Sequence, residues 1–126
     1  MHKSRLSGLC IDCETDDLPR AAAFWGAALG RPMPSRPDEL TGRYIALAGG
    51  PGEPGVVLQR VEHAPRVHLD LETDDVEAEV RRLESLGARV VERKERWTVM
   101  EAPSGHRYCV CTAETDLTGP DTRHWS

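Results

Sequence analysis

The sequence predicts an α+β fold of two tandem halves, each a strand, a helix and about three further strands. Two observations carry this prediction. In the stretch from Val67 to Asp75, the apolar Val67, Leu69 and Leu71 alternate with His68, Asp70 and Glu72, and the chain then enters a helical stripe of Val76, Val80, Leu83 and Leu86. A period of two belongs to a strand with one covered face, and the change to a period near three and a half marks a helix. The second observation is a repeat. Asp12 to Asp17 reads Asp-Cys-Glu-Thr-Asp-Asp, and Asp70 to Asp75 reads Asp-Leu-Glu-Thr-Asp-Asp. Each copy follows a strand-like stretch and precedes a helix ending near Leu-Gly, at Leu29-Gly30 and Leu86-Gly87, which indicates internal duplication.

Taken in order, Leu6 to Cys13 reads as the first strand, with Ser7 and Gly8 weakening its start. Asp16 and Asp17 precede a helix whose stripe is Leu18, Ala21, Ala22, Trp25 and Leu29. Pro19 is tolerated in its first turn and Gly30 stops it. Arg31 to Thr41, with three prolines, reads as an irregular or edge strand with a loop. Arg43 to Ala48 and Val56 to Val61 read as strands around a Gly/Pro-rich turn. In the second half, Asp74 is the expected helix cap, with Glu77 completing a capping box. Arg89 to Glu95, Trp97 to Ala102 and Arg107 to Thr112 then read as strands, with a turn at Pro103-Ser104-Gly105. One domain of two modules, 6–62 and 65–112, is followed by a tail, 113–126, without usable periodicity. Neither half can bury its sheet alone. Packed side by side with helices outside, the two would enclose a cleft lined by polar residues such as His68 and Asp70.

The chain has 126 residues, a hydrophobic fraction of 39% and a formal charge of −5, ordinary for a soluble globular domain. No basic block interleaved with aromatics points to nucleic acid. No apolar run approaches the roughly 20 residues that cross a bilayer, and the start does not resemble a signal peptide. A cytoplasmic location is the simplest expectation.

Four cysteines, Cys10, Cys13, Cys109 and Cys111, form two close pairs. Cys10-Ile-Asp-Cys13 has the spacing of a redox dithiol or half a zinc site. A reactive dithiol belongs at a helix N-terminus, whereas both pairs fall in apparent strands, which favours reduced, small wall residues.

Several local motifs together resemble one family. They are Ala23-Phe24-Trp25 with Leu29-Gly30, Arg66-Val67-His68-Leu69-Asp70-Leu71, Leu86-Gly87-Ala88, and Trp97-Thr98-Val99-Met100 leading to Pro103-Ser104-Gly105 and Tyr108-Cys109-Val110. Over residues 7 to 112 the sequence resembles the vicinal oxygen chelate superfamily, also called the glyoxalase, bleomycin-resistance and extradiol dioxygenase superfamily. Within it, the likeness is greatest to the small glyoxalase-like proteins of high-GC bacteria. The resemblance implies two βαβββ modules with curved mixed sheets around a U-shaped cavity, and commonly a homodimer. Enzymatic members hold a divalent metal with residues of the first, fifth and eighth strands. Those places fall on Cys10, His68 and Cys109, so that only His68 matches the usual ligand type. Glyoxalase I and extradiol dioxygenase activities are disfavoured because position 109 lacks a carboxylate.

Two readings follow for the candidate site. Cys10, His68 and Cys109 could hold zinc with a fourth position open, supporting a lyase, isomerase or hydrolase. Alternatively the protein has no standard metal triad and binds a small organic molecule, with His68 and Asp70 as candidate acid/base groups and Asp12, Trp97 and Tyr108 as further ligand contacts. Asp12 and Asp70, equivalent by the repeat, could instead anchor turns or arginines. A third reading is a non-catalytic dimeric scaffold. The partners expected are a small molecule and a second copy of the chain, not nucleic acid or membrane.

Overall fold

A computed structural model describes all residues from Met1 to Ser126. The elements run β1 (His2–Cys13), α1 (Leu18–Leu29), a 3-10 turn (Pro37–Leu40), β2 (Tyr44–Leu47), β3 (Gly55–Arg60), β4 (Arg66–Thr73), α2 (Val76–Ser85), β5 (Arg89–Arg93), β6 (Trp97–Glu101), β7 (Arg107–Thr112) and β8 (Arg123–Trp125). The class is α+β, as predicted. No helix is long and apolar enough to cross a membrane. The chain divides into two compact units, Gly8–Val67, and Met1–Ser7 together with His68–Ser126.

In the unit Gly8–Val67, strands follow the order β2-β3-β1, with β1 parallel to β3 and β2 antiparallel to it. Asp17 caps α1 by accepting the Arg20 amide proton, and Gly30 ends the helix in the left-handed region at φ 67°. A residue with a Cβ is disfavoured in that conformation. Leu18 and Ala22 of α1 pack on Cys13, Ile45, Leu47, Val56 and Leu58, with Trp25 partly buried beside them. Between α1 and β2 the sequence reading admitted an edge strand; only the 3-10 turn forms there. This proline-rich stretch has few amide protons for a ladder.

The other unit repeats the scheme with one strand more, in the order β4-β7-β6-β5. β4 is parallel to β7, and the remaining pairs are antiparallel. Val80 and Leu83 of α2 pack on Met100 and Val110, joined by Leu71 and Tyr108. Val67 and Leu69, expected under a helix, are instead exposed, because α2 packs over β5 and β7. The helix cap also moves by one residue. Asp75, not Asp74, accepts the Ala78 amide proton, while Asp74 accepts from the Lys3 amide and Glu77 pairs with Arg93.

The tail contains a strand with no local signal. Arg123–Trp125 pairs antiparallel with His2–Ser4, so β1 also starts earlier than Leu6. The Trp125 indole N–H donates to Ser4 Oγ at 2.9 Å, and the Arg82 guanidinium lies 3.8 Å from the ring centroid. Trp125→Ala removes the cation–π contact and the apolar area of the ring, and should cost about 2 kcal/mol. Urea unfolding of the variant measures this loss.

Candidate functional site

Strand alternation assigns the second face of the sheet in each unit. In the unit His68–Ser126, Leu71, Tyr108, Val110 and Met100 turn toward α2. Residues of opposite parity, His68, Asp70 and Glu72 on β4 and Cys109 and Cys111 on β7, therefore share the other face. In register, Asp70 lies opposite Cys109, Glu72 opposite Cys111, and Trp97 of β6 beyond Cys111. Near the start of β4 this polar face is the more covered one. The His68 side chain is 11% exposed, against 45% for Leu69. Covered polar groups need partners, and they have them here.

His68 Nε2 lies 3.2 Å from Asp70 Oδ1. Ligand-type atoms of His68, Asp70 and Cys109 all fall within 4.8 Å of one another. Glu72 is held by the Arg5 Nε–H, while Asp70 lies beside the imidazole. Desolvation, reinforced by the neighbouring Asp70 carboxylate, pushes the Cys111 thiol up to about 12. Cys111 is therefore a poor nucleophile and a poor metal ligand at neutral pH. Farther along the face Glu101 accepts from Arg89 and Arg107, and these hydrogen bonds hold its carboxyl below the usual range.

In the unit Gly8–Val67, the face away from α1 carries Cys10, Asp12, Gln59 and Tyr44. Asp12 is 2% exposed and lies 3.6 Å from Arg66 Nε and 3.9 Å from His63 Nε2. The Cys10 thiol donates to Asp12 at 3.6 Å and Gln59 at 3.8 Å, and Gln59 Nε2 donates to Tyr44 Oη. All four cysteines are free thiols. A groove of about 400 Å³ runs beside α1, lined by Ala23, Ala27, Arg31 and Met33 among others. It holds no imidazole, thiol or carboxylate.

Of the candidate residues, His68, Asp70 and Cys109 come together in one unit, with Trp97 on the same face. Asp12 and Cys10 belong to the other unit, where Asp12 serves as an arginine anchor. Tyr108 packs on the helix side instead of lining the polar face. Gln59, Tyr44, Glu72 and Arg5 were not singled out from the sequence, although alternation along β3 and β4 marks Gln59 and Glu72.

The family model for the glyoxalase-like domain matches residues 8–111. No functionally curated protein matches the chain. Among solved structures, the fold is similar to a methylmalonyl-CoA epimerase from Mycobacterium tuberculosis, with a TM-score of 0.58, 20% identity, and coverage of 88% of this chain and 89% of that one. A glyoxalase/bleomycin resistance protein/dioxygenase superfamily member from Vibrio splendidus gives 0.54 at 18% identity, covering 84% and 97%. The 2,2',3-trihydroxybiphenyl 1,2-dioxygenase from Sphingomonas wittichii gives 0.58 at 16% identity, covering 93% of this chain and 43% of that one.

Proposed function

The chain belongs to the glyoxalase-like domain family, and from that premise we propose that it binds a small organic molecule against the polar sheet face of β4 and β7. His68 and Asp70 are the polar contacts in this reading, and Trp97 offers an apolar edge. The observation that carries it is the grouping of His68, Asp70 and Cys109 on one face of rigid strands, since polar groups converging on a partly covered surface fix a ligand's orientation. An imidazole beside a carboxylate both donates and accepts hydrogen bonds, which suits an oxygenated ligand. Homodimerisation, which the family likeness implies, is part of the same proposal; sedimentation checks it.

The test is a thermal-shift screen of metal-stripped protein against oxygenated small molecules. Its panel includes acyl-CoA thioesters and hydroxylated biphenyls, because structural neighbours carry those compounds in their names. A ligand at 100 times its Kd stabilises by about 2.7 kcal/mol, a readily measured shift. His68→Ala should weaken any hit about tenfold or more, as expected for loss of a hydrogen bond to a charged or strongly polar group. A panel without hits, or hits indifferent to His68→Ala and Asp70→Asn, would contradict the reading.

A second reading has its own observation. Imidazole, carboxylate and thiol atoms within 4.8 Å form a donor set that suits zinc, so these residues fit a divalent metal. His68, Asp70 and Cys109 would hold it. A bound ion would supply Lewis-acid polarisation of a carbonyl or an acidified water. Binding would require Cys109 to lose its proton. Elemental analysis of untagged protein decides this. Near-stoichiometric zinc lost in His68→Ala supports the metal reading; no uptake from zinc, iron, nickel or manganese excludes it.

A further inference from the structure

We propose that Cys109 is a nucleophilic thiol, served by the His68–Asp70 pair, that adds to a soft carbon electrophile of the α,β-unsaturated carbonyl class bound on this face. The inference rests on the reading of that face as the ligand-binding one. It goes beyond reversible binding by naming a bond-forming residue and an electrophile class.

The four thiols differ in setting. Cys10 and Cys13 are buried, and their thiols donate to Asp12 and Gln59 and to the Ile11 carbonyl. Cys111 is half-buried and lies one pair farther along the face, in register with Glu72 instead of Asp70. Cys109 is likewise half-buried instead of buried, and its sulfur is grouped with an imidazole nitrogen and a carboxylate oxygen of its own unit. A nucleophile, a base and a carboxylate that orients the base make up a nucleophilic constellation. Adjacent parallel strands fix its spacing, with Cys109 in register with Asp70.

The surroundings also select the reaction. β7 lies between β4 and β6, so the amides flanking Cys109 are engaged in two ladders. They do not form the pair of converging donors that a tetrahedral acyl-transfer intermediate needs. Conjugate addition has no tetrahedral alkoxide; its negative charge is delocalised between oxygen and the α-carbon of an enolate, so it depends less on such a pair of donors. The imidazole of His68 takes the thiol proton and Sγ bonds to the β-carbon. The π pair moves toward the carbonyl as an enolate, and the imidazolium returns the proton to the α-carbon. An S–H bond and a C=C π bond are exchanged for an S–C and a C–H bond, with no oxidant and no leaving group.

N-ethylmaleimide, itself an unsaturated dicarbonyl compound, is the probe. The rate of adduct formation at each cysteine is read by peptide mapping of the wild type, His68→Gln, Asp70→Asn and Cys109→Ser. The expected result is labelling of Cys109 about a hundredfold faster than of Cys111, falling by about the same factor in His68→Gln while Cys111 stays within about twofold, at the lower end of general-base contributions. Asp70→Asn should slow Cys109 less. Equal rates at Cys109 and Cys111, or a Cys109 rate indifferent to His68→Gln, overturn the proposal. Should His68→Gln fail to fold by circular dichroism, the wild type decides alone: the Cys109-to-Cys111 ratio should collapse toward one in denaturant, and a ratio that persists there overturns the proposal. Reversible binding of a screen hit by Cys109→Ser separates the two readings. If such binding is retained while wild-type Cys109 is unreactive, the covalent step falls and the binding face stands.

Discussion

Replacing Glu79 with glutamine should lower the unfolding free energy by about 3 kcal/mol at neutral pH and flatten the acid limb of the stability curve. Glu79 is fully buried on α2. Burial alone would raise its pKa, but hydrogen bonds from Arg82, His2 and Ser4 outweigh that effect and hold the carboxyl at about 2, below the ordinary 4.5. Arg82 Nε and Nη2 each lie 2.8 Å from a Glu79 oxygen, and His2 Nε2 lies 2.8 Å from Oε1. A carboxyl depressed in the folded state contributes stability that is complete above its unfolded value. That contribution is lost as pH falls from about 4.5 to about 2. Urea titrations of the wild type and Glu79→Gln across this window should diverge above it and converge toward its lower end. Parallel curves throughout would show that the network contributes no pH-dependent stability.

Gly8→Ala should destabilise by about 3 kcal/mol, at the upper end of overpacking costs. Gly8 of β1 stands opposite Gly55 of β3 in the parallel ladder. An added Cβ would overlap the Gly55 carbonyl oxygen and lie 2.7 Å from its carbonyl carbon and 2.9 Å from its Cα. Backbone atoms on both strands cannot yield as a flexible side chain can, so the ladder must open at its first pair. Gly42→Ala provides the contrast. There the nearest atom is the Tyr44 amide nitrogen at 3.9 Å, and the change should stay within about 0.5 kcal/mol. Thermal unfolding of the two variants side by side would show the difference.

Elements with a strong local period were legible in the sequence. α1, α2 and the strands from β2 to β7 follow from alternation, helical stripes and glycine stops. The features that escaped depend on partners distant along the chain. Which of Asp74 and Asp75 caps α2 is settled by the Lys3 amide, which engages Asp74 from 71 residues away. β8 has three residues and forms through pairing with His2–Ser4; its own residues carry no period. Glu79 stands three residues after Val76 and four before Leu83, on the side of the apolar stripe, but the sequence reading did not single it out. A charged residue at that spacing is as readily a flank of the stripe as part of it. Its partners His2 and Ser4, at the other end of the sequence, were not singled out either. At the site, alternation from His68 gives Asp70 and Glu72, and the same rule puts Tyr108 and Cys109 on opposite faces. The meeting of Asp70 with Cys109 required the register of β4 against β7, which no short stretch encodes.

The most direct measurement on the proposed binding face is a two-dimensional NMR titration of labelled, metal-stripped protein with a hit from the screen. Ligand binding to the polar face predicts saturable shifts concentrated at His68, Asp70, Cys109 and Cys111, and their loss in His68→Ala. Shifts confined to the groove of Ala23, Ala27 and Met33 beside α1, with His68 and Asp70 undisturbed, would contradict it.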